Sequence, residues 1–169
     1  MKTNLKRLLK PKTIALFGGS WAENVAYQIR DSEFTGQVWP VNPKRKAIAG
    51  YICYKSVDEL PEPPDAAFIG VNKLLTIEII EKLEQVGCGG AICFASGYSE
   101  TGSNGEELQH KMSKAAVNMT FLGPNCYGYL NYLDHVYMWP DQHGGKAVNS
   151  GVAIRSEEHT SELQSPLDI

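Results

Sequence analysis

Residues 13–20 read Thr13-Ile14-Ala15-Leu16-Phe17-Gly18-Gly19-Ser20. A short apolar run of strand type breaks at two glycines and a serine, and a helix-capable segment, Glu23 to Ser32, follows. The run does not alternate polar with apolar residues, which suits a parallel strand covered on both faces. A glycine turn between strand and helix lets backbone approach a ligand. The first helical turn adds unpaired N–H groups and a positive dipole end, so the junction suits a phosphate. A tight turn with no ligand would read the same way. The strict Gly-x-Gly-x-x-Gly fingerprint is absent: Gly18 opens Gly-Gly-Ser-Trp-Ala-Glu, with Glu23 where a packing glycine would sit.

The pattern repeats outward from this stretch. Strands are predicted at Gln37–Val41, Ala66–Val71, Ala91–Ala95 and Thr120–Leu122. Helices are predicted at Leu74–Val86, with Leu75, Ile79, Ile80 and Leu83 inward and Gly87 as its stop, and at about Asn104–Asn118. Leu5, Leu8 and Leu9 share one helical face before Pro11. Lys44 to Tyr54 reads as an irregular excursion, and Ser56–Leu60 as a short helix capped by Ser56 with Glu59 three residues on. Tyr129 to His143 reads as an aromatic loop, and Gly151–Ile154 as the start of a sixth strand. Five strands alternating with about four helices predict one α/β domain with a doubly wound parallel sheet. Right-handed crossovers gather the loops at Gly18, Asn42, Val71, Ser96 and Asn125 on one rim, where such sheets bind ligands.

Composition narrows the function. The chain has 169 residues, is 43% hydrophobic and 21% charged, and carries a net charge of −3, which excludes a general nucleic-acid binder. Its apolar runs are too short to span a bilayer. The basic Met1–Lys10 is followed by neither a long apolar stretch nor a cleavage site, so a cytoplasmic location and no membrane partner are expected. Cys53, Cys88, Cys93 and Cys126 show no Cys-x-x-Cys spacing and are expected as free thiols. The first three read as small buried hydrophobes. Cys126 reads as a packing or thiol-contact residue, with an activated nucleophile as the alternative. Residues 155–169 begin Arg-Ser-Glu-Glu-His-Thr-Ser-Glu-Leu-Gln-Ser, which resembles the in-frame translation of a sequencing adapter. The expected organisation is a helical lead-in over 1–10, one domain over 11–154, and a non-native tail over 155–169, the natural protein continuing past Ile154. A sheet cut there would expose an apolar edge and associate. A native polar tail is the other reading of 155–169.

The end of the second strand bears on the ligand. An NAD site usually has an acidic residue there for the ribose hydroxyls. This chain has Val41-Asn42-Pro43-Lys44-Arg45-Lys46. The charge is wrong for NAD and right for a phosphorylated ribose, as in NADP or the 3′-phosphate of coenzyme A; a solvated basic loop is the plain alternative.

Five segments then occur together and in order: Gly18-Gly19-Ser20, Trp39–Lys44, Ser56–Pro61, Phe94–Glu100 and Leu122–Gly128. As a set, over roughly Leu9 to Ile154, they resemble the coenzyme A-binding domain of the NDP-forming acyl-CoA synthetases, relatives of the succinyl-CoA ligase α subunit. The resemblance implies a Rossmann-like fold that holds coenzyme A across its strand ends. It places the phosphate loop at Gly18, Gly19 and Ser20, and the nucleotide wall at Asn42, Pro43 and Lys44. It also implies contacts from Val71 and Asn72, from Ser96 and Gly97, and, near the thiol end, from Asn125 and Cys126. Trp21 departs from the pattern, being bulky in a loop that must stay open.

The same resemblance implies a parent enzyme of acetate–CoA ligase type, which joins a carboxylic acid to coenzyme A with ATP, giving ADP and phosphate. ATP, magnesium and the phosphorylated histidine would belong to further domains or a further subunit, so no catalytic residue is assigned here. His110 reads as a surface residue. His135 and His143 lie in the aromatic loop, His143 being the only one near glycines, and His159 lies in the tail. Two other classes stay open: the NADP-binding domain of an oxidoreductase, and a stand-alone, non-catalytic coenzyme A-binding module.

Overall fold

The computed structural model describes residues 2–152. Helix α1 (Lys2–Leu9) precedes β1 (Thr13–Gly18), α2 (Ser20–Asp31) and β2 (Gln37–Val41). A small antiparallel ribbon follows, β3 (Ala47–Ile48) with β4 (Tyr51–Ile52). The chain continues through β5 (Ala66–Gly70), α3 (Lys73–Val86), β6 (Gly90–Cys93), α4 (Ser103–Ala115) and β7 (Thr120–Leu122). A hairpin closes the described part, β8 (Tyr129–Asn131) with β9 (Val136–Met138).

Five parallel strands form one sheet in the order β2-β1-β5-β6-β7. The chain starts at β1, steps out to β2, then crosses back to β5 and builds the other side. The winding therefore reverses between β1 and β5, where Gly18 stands in register with Gly70. Pro40 sits in β2 without breaking the sheet because β2 is an edge strand. Its carbonyl accepts from Tyr54 N–H at 2.9 Å, and Asn42 N–H donates to Tyr54 O at 2.8 Å, so the excursion returns to cover that edge.

Alternate residues of each strand feed two separate cores, as the pleat requires. Ala15, Phe17, Ala67, Ile69, Ala91 and Cys93 pack under α3 and α4, with Ile80, Leu83 and Met112. Ile14, Leu16, Ala66, Phe68 and Ile92 pack under α1, α2 and the hairpin, with Leu8, Val25, Ile29 and Met138. The continuous apolar runs read from the sequence thus reflect burial on both faces.

Several expectations shift. Helix α2 begins at Ser20, directly after the glycines, rather than at Glu23. Asn72 does more than close a strand. It caps α3, its Oδ1 accepting from Leu74 and Leu75 N–H at 3.1 Å each, and Gly87 ends that helix at φ +82° as expected. Leu75 is 39% exposed rather than inward, and Ile77 is buried beside Ile79, Ile80 and Leu83. Residues 57–59 form a 3-10 turn without a Ser56 side-chain cap; the Glu59 carboxylate reaches past Ser56 and accepts from Lys55 N–H at 2.9 Å, so the expected capping box does not form. Helix α4 ends at Ala115, short of Asn118, and Cys53 is half-buried. Gly151 and Val152 form no strand, Val152 being 90% exposed. Ala153, Ile154, the 155–169 tail and His159 lie outside the described residues.

The aromatic stretch is an ordered hairpin rather than a loop. Val136 and Met138 are buried against the α2 side of the sheet. Tyr129 Oη donates to Leu8 O at 2.5 Å and Asn131 Nδ2 to Leu9 O at 2.9 Å. His135 Nδ1 donates to Ser32 O at 2.9 Å, while Ser32 Oγ donates to His135 O at 2.7 Å, so this histidine ties the hairpin to the end of α2.

Helix α1 is fastened to the sheet by one charged knot. Arg7 Nε donates to Asp65 Oδ1 at 2.7 Å, and its other nitrogens reach Gly87 O at 3.0 Å and Pro64 O at 3.2 Å. Asp65 Oδ2 accepts from Lys12 N–H at 2.8 Å. Charge-assisted hydrogen bonds of this kind contribute roughly 1.5–3 kcal/mol each. Asp65→Ala is therefore expected to destabilise the fold by about 2 kcal/mol. A urea midpoint that stays at the wild-type value would show that the knot carries no stability.

Candidate functional site

The rim is shaped first by Gly18. Its φ is +134°, and a Cβ there would stand 2.5 Å from Gly70 O, so only glycine lets β1 and β5 run side by side to their ends. Gly19 starts α2 with no side-chain cap, and a Cβ on it would meet nothing within 4 Å. The helix thus presents bare backbone and its positive end to open space. Asn42 braces the turn, its Nδ2 donating to Gly18 O at 3.0 Å and its Oδ1 accepting from Lys44 N–H at 2.9 Å. Glu23, at the missing glycine of the fingerprint, pairs through both carboxylate oxygens with Arg45 at 2.7 and 2.8 Å. The Arg45 hydrogen bond holds the Glu23 carboxyl below its usual range.

Two clefts flank the switch point and share Val71. The first, about 380 Å³, has Gly18 and Gly19 on one side and Asn42, Pro43 and Lys44 on another. Lys55 and Ser56 join from the segment that follows the excursion, and Leu75, Ile79 and Lys82 from α3. Lysines from three separate segments thus line the cleft together with aliphatic side chains. That combination suits a phosphorylated nucleotide, with cations for phosphate and apolar side chains for a base. It also accounts for the exposure of Leu75.

The second cleft, about 670 Å³, lies on the far side of Val71. Asn72, Ser96, Asn125 and Cys126 line it with Trp21, Phe94 and Tyr127. Its turn is bolted to the strand ends: Asn125 N–H donates to Ala95 O at 2.9 Å and Cys126 N–H to Cys93 O at 3.1 Å. Asn125 has φ +54°, a conformation asparagine tolerates better than most residues. Burial pushes the Cys126 thiol above its usual pKa, and the buried Cys93 thiol up to about 12. Both stay protonated near neutral pH, which is the chemistry of a lining group and not of an activated nucleophile. Trp21 does not plug the glycine turn. Its ring centroid lies 4.8 Å from that of Phe94, on the wall of the second cleft.

Comparisons with known proteins identify the family and the fold. A family described as the CoA binding domain matches residues 12–132. The chain belongs to this family. It is 36% identical over 132 residues to the ADP-forming acetate–CoA ligase of Methanocaldococcus jannaschii, a match covering 75% of this chain and 18% of that protein. It is 34% identical over 139 residues to a trans-feruloyl-CoA synthase of an unknown prokaryotic organism, covering 78% of this chain and 20% of that protein. Among solved structures it resembles the apo form of the dinucleotide forming acetyl-coenzyme A synthetase 1 of Ca. Korarchaeum cryptofilum. The TM-score there is 0.73 at 30% identity, over 78% of this chain and 30% of that one. The chain thus spans about a fifth of the length of these curated relatives. It is a coenzyme A-binding domain homologous to a part of the ADP-forming acyl-CoA ligases, with the expected Rossmann-like fold. Neither the NADP oxidoreductase nor the stand-alone module is favoured by these matches.

Within this coenzyme A-binding domain, all the residues singled out from the sequence line one cleft or the other except Ser20 and Gly97. Ser20 is exposed in the first turn of α2. Gly97 is held by its own loop, its N–H donating to Glu100 Oε1 at 2.5 Å and its carbonyl accepting from Lys73 Nζ at 3.0 Å. Of the basic run 44–46, Lys44 faces the first cleft and Arg45 is committed to Glu23. Lys55, Lys82 and Leu75 were not foreseen. Lys82 stands seven residues, two helical turns, beyond Leu75, so a search for a second stripe on α3 could have found it. No local signal marks Lys55. His143 belongs to the hairpin, its Nδ1 3.0 Å from Tyr132 Oη and accepting from Gly145 N–H at 3.2 Å, and His110 is exposed on α4. Neither lines a cleft.

Proposed function

We propose that coenzyme A lies along the rim through both clefts. The phosphorylated adenosine end occupies the lysine-lined cleft, with Asn42, Pro43 and Lys44 as its wall. The diphosphate meets the backbone of Gly18 and Gly19 at the start of α2, beside Ser20. The pantetheine arm passes Val71 and Asn72 and brings the thiol toward Ser96, Asn125 and Cys126. The observation that carries this reading is the pair of clefts of opposite character, one cationic and one aromatic, joined at the strand switch point. Small residues at the junction leave room for a long, thin ligand.

On this reading the parent enzyme forms an acyl-CoA from a carboxylic acid, coenzyme A and ATP. The phosphohistidine, the ATP site and magnesium belong to other domains or to a partner subunit. Two relatives from Pyrococcus furiosus, 30% and 29% identical, are named as α subunits of ADP-forming acetate–CoA ligases, which supports a multi-part assembly. Among the described residues no helix is long and apolar enough to cross a membrane, and we place the protein in the cytoplasm. Calorimetric titration of the chain with coenzyme A and with NADP tests the reading. Coenzyme A is expected to bind more tightly, and the reverse order would overturn the assignment.

A further inference from the structure

The wall of the second cleft is more aromatic than a pantetheine arm requires. That arm is a thin chain of amides and methylenes whose needs are hydrogen-bond partners and a narrow channel. Instead, Trp21, Phe94 and Tyr127 stand in a row, with ring centroids 4.8 Å apart for the first pair and 5.5 Å for the second. Trp139 backs Tyr127 edge-on at 4.6 Å, and the Tyr127 hydroxyl is engaged by Asp141, so the row is braced from behind. Trp21 is 39% exposed and Tyr127 36% exposed, leaving ring surface open beside a cleft of about 670 Å³. Such surface is costly in water and is covered most effectively by another ring. The cation on this wall, Lys73, gives its ammonium to Gly97 O, which leaves it poorly placed to hold a second carboxylate. The Asn125 carboxamide makes no intramolecular hydrogen bond among the described residues and lines the same cleft, available to a thioester carbonyl.

We infer that this cleft receives an uncharged aromatic acyl group carried on coenzyme A, its ring covered by Trp21, Phe94 and Tyr127. The inference rests on the proposal that the thiol end of coenzyme A lies at Asn125 and Cys126. It assigns to this domain a share in choosing the acid.

The test is a calorimetric titration of the full chain with coenzyme A, acetyl-CoA and benzoyl-CoA. Benzoyl-CoA is expected to bind roughly tenfold more tightly than acetyl-CoA, the factor that ring-on-ring contact yields. Trp21→Ala and Tyr127→Ala should each bring that ratio close to one, while Tyr127→Phe, which keeps the ring, should preserve it. Equal affinities of the wild-type chain for the two thioesters would overturn the inference and leave the coenzyme A reading standing, as would a preference that survives Trp21→Ala. Failure of all three compounds to bind would overturn both.

Discussion

Removing the 3′-phosphate from coenzyme A is expected to weaken its binding to this chain at least tenfold, and Lys82→Ala to cost the intact ligand a comparable factor. The expectation follows from the convergence of Lys44, Lys55 and Lys82 on the first cleft. A phosphate monoester carries about −1.5 to −2 charges at neutral pH. A charge-assisted hydrogen bond to such a group is worth roughly 1.5–3 kcal/mol, and about 1.4 kcal/mol is a factor of ten. Lys82 is the informative position because its acidic neighbour, Asp58, stands 3.9 Å away with both side chains largely exposed, so the pair holds the ammonium only loosely. The discrimination between coenzyme A and its dephospho form should shrink as salt is added, since the cleft is open to solvent. Arg45→Ala should leave that discrimination in place, because both terminal guanidinium nitrogens of Arg45 are already engaged by the Glu23 carboxylate. The measurement is a pair of titrations, coenzyme A and 3′-dephospho-coenzyme A, against the wild-type chain and the Lys82→Ala chain. A variant that binds both ligands as the wild type does would remove Lys82 from the site.

The contrast between Lys44 and Lys82 shows what the sequence could disclose. Strands β1, β2, β5 and β6 were legible because each is buried on both faces, so burial alone writes an unbroken apolar run such as Ile14-Ala15-Leu16-Phe17, whereas the edge strand β7 is only half-buried. Their C-terminal loops followed from chain order and crossover handedness. That was enough to place Gly18, Asn42, Val71 and Asn125 on one rim. Convergence of side chains from distant segments leaves no local trace, so Lys55 and Lys82 went unseen while the contiguous run 44–46 drew notice. Leu75 misled for a related reason. It keeps the spacing of the core face of α3, yet its position near the helix start puts it beyond the sheet edge and into the cleft. The β8–β9 hairpin was hidden because its anchoring partners, Leu8 O and Ser32, lie more than a hundred residues away in the chain. Asn72 could be read as a strand end from position alone. Its capping role needed the helix start, which falls one residue earlier than the periodicity indicated.

Gly18→Ala is expected to destabilise the fold by about 3 kcal/mol and to abolish measurable coenzyme A binding, whereas Gly19→Ala should lose affinity with far less effect on stability. The two residues are neighbours, but their surroundings differ. At Gly18 the backbone is at φ +134°, where an L side chain is strained by roughly 1–3 kcal/mol. The added Cβ would also lie 2.5 Å from Gly70 O, a backbone atom in a paired central strand that cannot swing aside. Relief requires β1 and β5 to part at their tips, which is where the two clefts meet at Val71. At Gly19, φ is −98° and a methyl meets no atom within 4 Å, so the folding cost is limited to the poorer helix cap, about 1 kcal/mol. The methyl nevertheless occupies the open space before the first turn of α2, the space a diphosphate needs in order to reach backbone N–H groups. Urea midpoints and coenzyme A titrations on both variants separate the two effects. Gly18→Ala at wild-type stability would show that the β1–β5 contact is looser than its geometry implies. Gly19→Ala at wild-type affinity would show that the ligand's phosphates do not approach α2, and the proposed path along the rim would have to be redrawn through the lysines alone.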